Sequence, residues 1–273
     1  MEHELKSRDG TKLFFRRWPV DQPKATLAVI PGYAEHSGRY AHVAEHLNGL
    51  GLDVFAIDLR GHGRSEGPPG YVQRFDRYLE DLDALLEYMT AESGPAKRFV
   101  LGHSMGGLVA LHYTILRGPD WQGVIISSPF LGTHFTIPPL KRCLGRIMSA
   151  VHPRFSLPNG LDTSHLSHDP QIVRAYQDDP LVFDISTARW FTETMTVIEN
   201  VKANAERFKL PCLFVQAGDD RIADPTQPKP LFEAIGSGDK TYVEYPGFYH
   251  ELLNEVEKDK VLAEVEAWLL RRL

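Results

Sequence analysis

Five residues near the middle of the chain, Gly102-His103-Ser104-Met105-Gly106, restrict its fold more than any other stretch. They follow the apolar, strand-like run 98–102 and open the helix-like run 107–113, so Gly-x-Ser-x-Gly stands where a strand turns sharply into a helix. Ser104 must then sit on a strained turn crowded by neighbouring backbone, and the flanking glycines are needed because a Cβ would collide there. The expected result is a serine hydroxyl presented at the C-terminal edge of a sheet.

The remainder of the chain supplies a sheet for that turn to belong to. Asp9-Gly10 separates two short strand-like runs and reads as an opening hairpin. The run 25–30 is continuously apolar, as a strand buried on both faces requires; 52–57, 122–128 and 210–216 read as further strands, and 240–245 as a last one. Between them, Leu79, Leu82, Leu85, Leu86 and Met89 recur at helical spacing, and 256–269 closes the chain with an amphipathic helix. Strands alternating with helices imply a mostly parallel sheet with right-handed crossovers, and functional residues at the strands' C-terminal ends. The alternation breaks between about 131 and 189, where six prolines punctuate short helical pieces, so this stretch is expected to be a helical insertion over the site.

The turn 58–65, Asp-Leu-Arg-Gly-His-Gly-Arg-Ser, is glycine-rich but has neither Gly-Lys-Ser/Thr nor Gly-x-Gly-x-x-Gly, so a nucleotide cradle is set aside in favour of a structural role. A net charge of -6 without a basic block argues against nucleic acid as a partner. No apolar run approaches bilayer-spanning length, and the first residues have no signal-peptide pattern, so a cytoplasmic protein is expected. Cys143 and Cys212 stand apart from each other and from any ligand-like spacing, so both read as buried or partly buried free thiols; no metal and no cofactor is expected.

These stretches together resemble the α/β-hydrolase family, and the wording Gly-His-Ser-Met-Gly-Gly is similar to its monoacylglycerol lipase and lysophospholipase branch. The resemblance covers nearly the whole chain and is strongest at 31–40, 58–67, 102–107 and 216–250. It implies an eight-stranded, mostly parallel sheet flanked by helices, with core residues 1–130 and 191–273 and a helical cap at 131–190. It also implies a cofactor-free serine hydrolase acting on lipid esters, monoacylglycerols foremost. Lysophospholipase and short-chain carboxylesterase activities share the same chemistry, and a non-catalytic binding protein on the same scaffold is the reading from another class.

A serine hydroxyl is a weak nucleophile at neutral pH and needs a base, itself oriented by a carboxylate. His250, in the loop after the last strand, occupies the place where this family keeps its histidine. By position Asp219, Asp220 and Asp224 all qualify as the acid; the resemblance selects Asp220, which precedes Arg221, and leaves Asp224-Pro225 as a helix start. The developing oxyanion calls for preorganised donors: the backbone NH of Met105 at a helix N-terminus and, by the resemblance, that of Tyr33. The family's His-Gly opening is departed from here, because Pro31 stands where its histidine would be. By the same carry-over Glu35, Arg39, His103 and Tyr176 line the polar end of the site. Finally, Leu140, Leu144, Ile147, Met148 and Val151 form one helical stripe, expected to pack inward; the other reading is an acyl tunnel or transient contact with a membrane surface.

Overall fold

The structure is a computed structural model, and it describes residues 1–93, 97–118, 121–134 and 138–273. Strands β1 (Glu2–Lys6) and β2 (Lys12–Trp18) form the expected hairpin. Asp9 Oδ1 caps its turn by accepting from the Thr11 NH and hydroxyl. Then follow β3 (Ala25–Ile30), α1 (Ala41–Asn48), β4 (Leu52–Ile57), α2 (Asp76–Ser93), β5 (Lys97–His103), α3 (Met105–Arg117) and β6 (Gly123–Ser127). The insertion contains α4 (Pro139–Val151), β7 (Ser156–Pro158), α5 (Pro170–Gln177) and β8 (Ile185–Thr187), and α6 (Ala188–Ala203) leads out of it. The chain closes with β9 (Cys212–Ala217), α7 (Pro228–Ala234), β10 (Lys240–Tyr245) and α8 (Lys258–Leu270).

Eight strands make one sheet in the order β1-β2-β4-β3-β5-β6-β9-β10. Only β1 and β2 run against their neighbours; every pairing from β4 to β10 is parallel. Every residue of β3, β4, β6 and β9 is buried, which is why those segments are largely apolar; the buried Asp53 of β4 is paired with Arg17 at 2.8 Å.

Alternate side chains go to opposite faces. Val100, Val124, Ile126 and Phe214 pack with residues of α2, α3 and α6 on one side, while Phe99, Leu101, Ile125, Leu213 and Val215 pack with α1 and α8 on the other. Each such side chain contributes roughly 1.5–3 kcal/mol relative to exposure. Fit is as strict as burial: a Cβ on Gly123 would stand 2.4 Å from Trp268 of α8.

The turn 58–65 has the structural role expected of it. Asp58 accepts from the backbone NH groups of Ser37 and Arg64, and Arg60 pairs with the buried Asp81 of α2 at 2.5 Å. Asp58 thereby ties the end of β4 to the loop after β3, one wall of the site.

Several details differ from expectation. The insertion is not purely helical, since β7 and β8 pair as a small antiparallel ribbon. Helix α6 runs across residue 190, where the cap was expected to end, and its buried Trp190, Val197, Ile198 and Val201 belong to the core. Residues 135–137, near the start of the expected cap, lie outside the described residues. The helix expected from Asp224-Pro225 begins instead at Pro228; Asp224 closes a local turn by accepting from the NH and hydroxyl of Thr226. Cys212 is buried as expected but Cys143 is exposed, because it lies on α4, whose outward face is open.

Candidate active site

Ser104 occupies the turn between β5 and α3 with φ +52°, ψ −116°, a conformation that an L-residue adopts only under constraint. The constraint comes from both flanks. A Cβ at Gly106 would lie 2.0 Å from the Ile30 carbonyl, and one at Gly102 would lie 2.4 Å from the Gly106 carbonyl. Backbone therefore packs directly on backbone. The Ser104 NH donates to Ser127 O, and the Ser104 carbonyl accepts from Leu108 and Phe130, so the turn is held on both sides.

His250 reaches this serine from the loop after β10. Its Nε2 lies 2.8 Å from Ser104 Oγ, and its Nδ1 lies 2.6 Å from Asp220 Oδ2. Asp220 is buried, and its other oxygen accepts from the NH groups of Ile222 and Ala223 at 2.9 Å each. Burial alone would raise the Asp220 pKa. The His250 charge and hydrogen bond, with the two NH donors, reverse this and hold it below the usual carboxylate range. An ionised Asp220 only accepts, so Nδ1 carries the proton and Nε2 is left to take one from Ser104. For His250, burial favours the neutral form, but Asp220 outweighs it and raises the pKa above the ordinary histidine value.

The other two acids follow different courses. Asp219 pairs with Arg221 at 2.9 Å on the surface, and Asp224 closes its own turn. Only Asp220 meets His250.

Ser104 and His250 line a cavity of about 900 Å³, while Asp220 is not among its lining residues. Its walls are mainly apolar, with Phe130, Leu144, Met148, Phe155, Trp190 and Ile222 among the lining residues. Leu144 and Met148 are α4 residues, so part of the stripe expected to pack inward does face the interior. The rest does not: Leu140, Ile147 and Val151 are 80%, 53% and 71% exposed, and Leu144 itself is 55% exposed, which overturns the packing expectation.

The remaining expected site residues are placed as follows. Tyr33 lines the cavity, with its ring stacked on Trp190 at 3.8 Å and its hydroxyl donating to Ile185 O. Met105 is the first residue of α3. The loop carrying Tyr33 runs beside the serine, since a Cβ on Gly32 would stand 3.2 Å from Ser104 Cβ.

Glu35, His103 and Tyr176 also line the cavity, whereas Arg39 does not. The guanidinium of Arg39 sits behind the wall, 2.8 Å from Glu35, 2.5 Å from Glu251 and 4.8 Å from the Tyr176 ring. It is therefore bound to protein on all these sides. Glu35 accepts from the Gly32 NH and from Tyr40 Oη at 2.8 Å, so it also stiffens the loop in which Pro31 replaces the family's histidine. Burial drives the His103 pKa down to about 3, with His250 adding to the effect, so this imidazole is neutral.

Glu251, which lines the cavity immediately after His250, is the site residue that sequence reasoning missed. Its signal was an acid inside the apolar segment that follows the histidine.

A serine hydroxyl, a carboxylate and an imidazole in this chain order on a mostly parallel sheet define a serine hydrolase of the α/β class. Comparison with known proteins agrees. The model of the family described as serine aminopeptidase, S33, matches residues 21–257, and the chain belongs to that family. It is 30% identical to a monoacylglycerol lipase of Mycolicibacterium smegmatis over 100% of this chain and 98% of that one. It is 32% identical to phospholipase YtpA of Bacillus subtilis, over 92% of this chain and 97% of the relative. Among solved structures, a monoacylglycerol lipase of Paleococcus ferrophilus superposes with a TM-score of 0.88 at 32% identity, over 96% of this chain and 99% of that one.

Proposed function

We propose that the protein hydrolyses carboxylic esters of lipids, monoacylglycerols foremost, to fatty acid and glycerol through an acyl-enzyme on Ser104. The observation that carries this reading is His250 bridging Ser104 and Asp220, at 2.8 and 2.6 Å, on the wall of a largely apolar cavity of about 900 Å³. That cavity is of the size in which small-molecule ligands are usually enclosed, with few polar groups to orient them. The relatives named as monoacylglycerol lipases point the same way.

In this mechanism His250 Nε2 takes the Ser104 proton as Oγ attacks the ester carbonyl, and Asp220 stabilises the imidazolium that forms. The oxyanion is met by the Met105 NH at the start of α3 and by the Tyr33 NH, donors of about 3–4 kcal/mol each in such sites. His250 then gives its proton to the departing alcohol oxygen. Water, activated by the same histidine, cleaves the acyl-enzyme.

Residues 131–190 are read as a lid over the entrance, with the acyl chain running along Leu144 and Met148. The exposed face of α4 (Leu140, Leu144, Ile147, Val151) is read as a transient contact with a lipid surface from which substrate enters. Among the described residues no helix is long and apolar enough to cross a membrane.

The name of the Bacillus relative keeps lysophospholipid cleavage as a second reading. One rate comparison decides: a long-chain 1-monoacylglycerol, the matching lysophosphatidylcholine and a p-nitrophenyl short-chain ester, with Ser104→Ala as blank. Clear preference for the monoacylglycerol supports the first reading, preference for the lysolipid supports the second, and cleavage of the short ester alone makes the protein a general carboxylesterase.

A further inference from the structure

Glu251 has no task in the triad chemistry, yet it is buried beside His250 and faces the cavity. Its Oε1 lies 2.5 Å from Arg39 Nη1 and its Oε2 2.7 Å from Arg39 Nη2, and Oε2 also accepts from Asn254 Nδ2 at 3.0 Å. The same Arg39 Nη1 is 2.8 Å from Glu35 Oε2, while Glu35 Oε1 accepts from Tyr40 Oη and the Gly32 NH. Glu251 is thus surrounded by donors, the arrangement an ionised acid requires. Burial, with the Glu251 charge beside it, raises the Glu35 pKa, whereas Arg39 outweighs burial at Glu251 and holds its carboxyl below the ordinary value, so Glu251 is the charged acid of the pair, and the positive charge it meets stands behind the wall.

Nothing else nearby redresses the balance. The neutral His103 packs on His250 with ring centroids 4.9 Å apart and carries no charge. Among the described lining residues the formal charges are Glu35, Asp162 and Glu251 against Arg221, and Arg221 is already paired with the exposed Asp219. A phosphate or carboxylate on the departing alcohol would lose its water beside the Glu251 carboxylate, and among the described lining residues the one cation, Arg221, is already paired.

We propose that Glu251 is a specificity-determining residue: its carboxylate, held in the cavity wall beside the catalytic histidine, excludes esters whose alcohol is anionic and admits those whose alcohol is neutral or cationic. This deepens the reading of Ser104 as the nucleophile of a lipid-ester hydrolase and rests on it. Glu251 is the residue to test, because Glu35 also holds the Gly32–Tyr40 loop, and loss of the Glu251 charge leaves Arg39 paired with Glu35.

The experiment compares kcat/KM for three esters of one acyl chain, with glycerol, glycerol phosphate and choline as alcohols, in the unaltered chain and in Glu251→Gln. Ser104 is titrated with a fluorophosphonate so that any misfolded fraction drops out. Expected is a preference of about a hundredfold or more for the glycerol ester over the phosphate ester. In the variant it shrinks by roughly tenfold, the weight of one unit charge several ångströms away in a partly screened site, and the choline ester becomes relatively poorer. If Glu251 only staples the two loops, all three rates fall in proportion; an unchanged ratio, or a preference for the phosphate ester in the unaltered chain, overturns the proposal.

A second measurement needs no variant. Hydrolysis of a p-nitrophenyl short-chain ester by the unaltered chain is inhibited with a 1-O-alkylglycerol or with its phosphate. Equal inhibition constants overturn the charged wall, whereas strong discrimination with no cleavage of any lipid ester retains the wall and removes the monoacylglycerol reading alone.

Discussion

The insertion over the active site has two halves built on opposite principles. The half around α5 is fastened to the catalytic loops by polar contacts. Glu251 NH donates to Leu166 O, and Ser167 Oγ donates to Asn254 O. His168 Nδ1 meets the buried Glu255 at 2.7 Å, Tyr176 Oη donates to Ala34 O, and His36 Nε2 meets Asp179 at 2.8 Å. The α4 half has few such ties, chiefly Ser149 to Thr192 and Arg189 to the Ser149 carbonyl, and turns apolar side chains outward. Polar fastening fixes the geometry beside Ser104, where an error of about 1 Å costs on the order of a hundredfold in rate. On the proposed reading the α4 half has only to border an acyl chain, for which apolar surface without fixed geometry is enough.

A change confined to the chemistry calibrates that contrast, and its effect is the largest. Asp220→Asn is expected to lower kcat by roughly 10³–10⁴-fold on long and short esters alike, with the fold intact. The pH profile supplies a second mark. Because Asp220 raises the His250 pKa, the unaltered enzyme should lose kcat/KM as pH falls through a point above the ordinary histidine value, where Nε2 becomes protonated and no longer accepts from Ser104. In the Asn variant burial acts without that opposition, so the acid limb moves to lower pH. An unmoved limb means that another group titrates there.

Next comes the fastened half. Glu255 accepts from His168 NH, His168 Nδ1, Tyr249 NH and Val256 NH, and is buried. Glu255→Ala leaves several of these donors without a partner, at about 1–3 kcal/mol for each that stays buried. The midpoint of thermal unfolding should drop by about 10 °C, at about 2–4 °C per kcal/mol in a chain of this size, and rates on long and short esters should fall together. A variant with unaltered melting and activity would show that the α5 half is not held through this residue.

How much of this was legible depended on how local the cause was. The sheet could be read because strands buried on both faces demand apolar runs such as 25–30, and the elbow because its backbone crowding demands Gly102 and Gly106. Ser104 and His250 stand at strand ends, whereas position left Asp219, Asp220 and Asp224 open and the family resemblance alone selected Asp220. Glu251 was not legible, because its meaning lies in Arg39, 212 residues away in the chain. The α4 stripe misled for another reason: its 3.6-residue period is the same whether that face meets a protein core or lies open. Only the absence of a covering element distinguishes the two, and that is a tertiary fact.

Within α4 the effect should separate by acyl length. Leu144→Asp puts a charge where the stripe borders the cavity, and should lower kcat/KM on a long-chain monoacylglycerol by roughly tenfold or more while barely touching an acetyl ester, because only the long chain must pass the desolvated charge. Leu144 is more than half exposed, so melting should move by no more than about 2 °C. Equal loss on both esters, or a melting shift like that of Glu255→Ala, would erase the distinction between the two halves.

The smallest change probes the outer edge of that same face. Leu140 and Ile147 are exposed and absent from the cavity lining, so Leu140→Ser with Ile147→Ser should leave melting and the rate on a soluble short ester unchanged within error. Co-sedimentation with neutral phosphatidylcholine vesicles should nevertheless fall severalfold, at about 25 cal/mol for each Å² of apolar surface no longer buried in the lipid interface. Neutral vesicles matter here: a chain of net charge -6 gains little from anionic lipid, so whatever binding they support is apolar in origin. If the double variant binds as the unaltered chain does, α4 is exposed for its contact with substrate alone, and the lipid surface is met by some other part of the molecule.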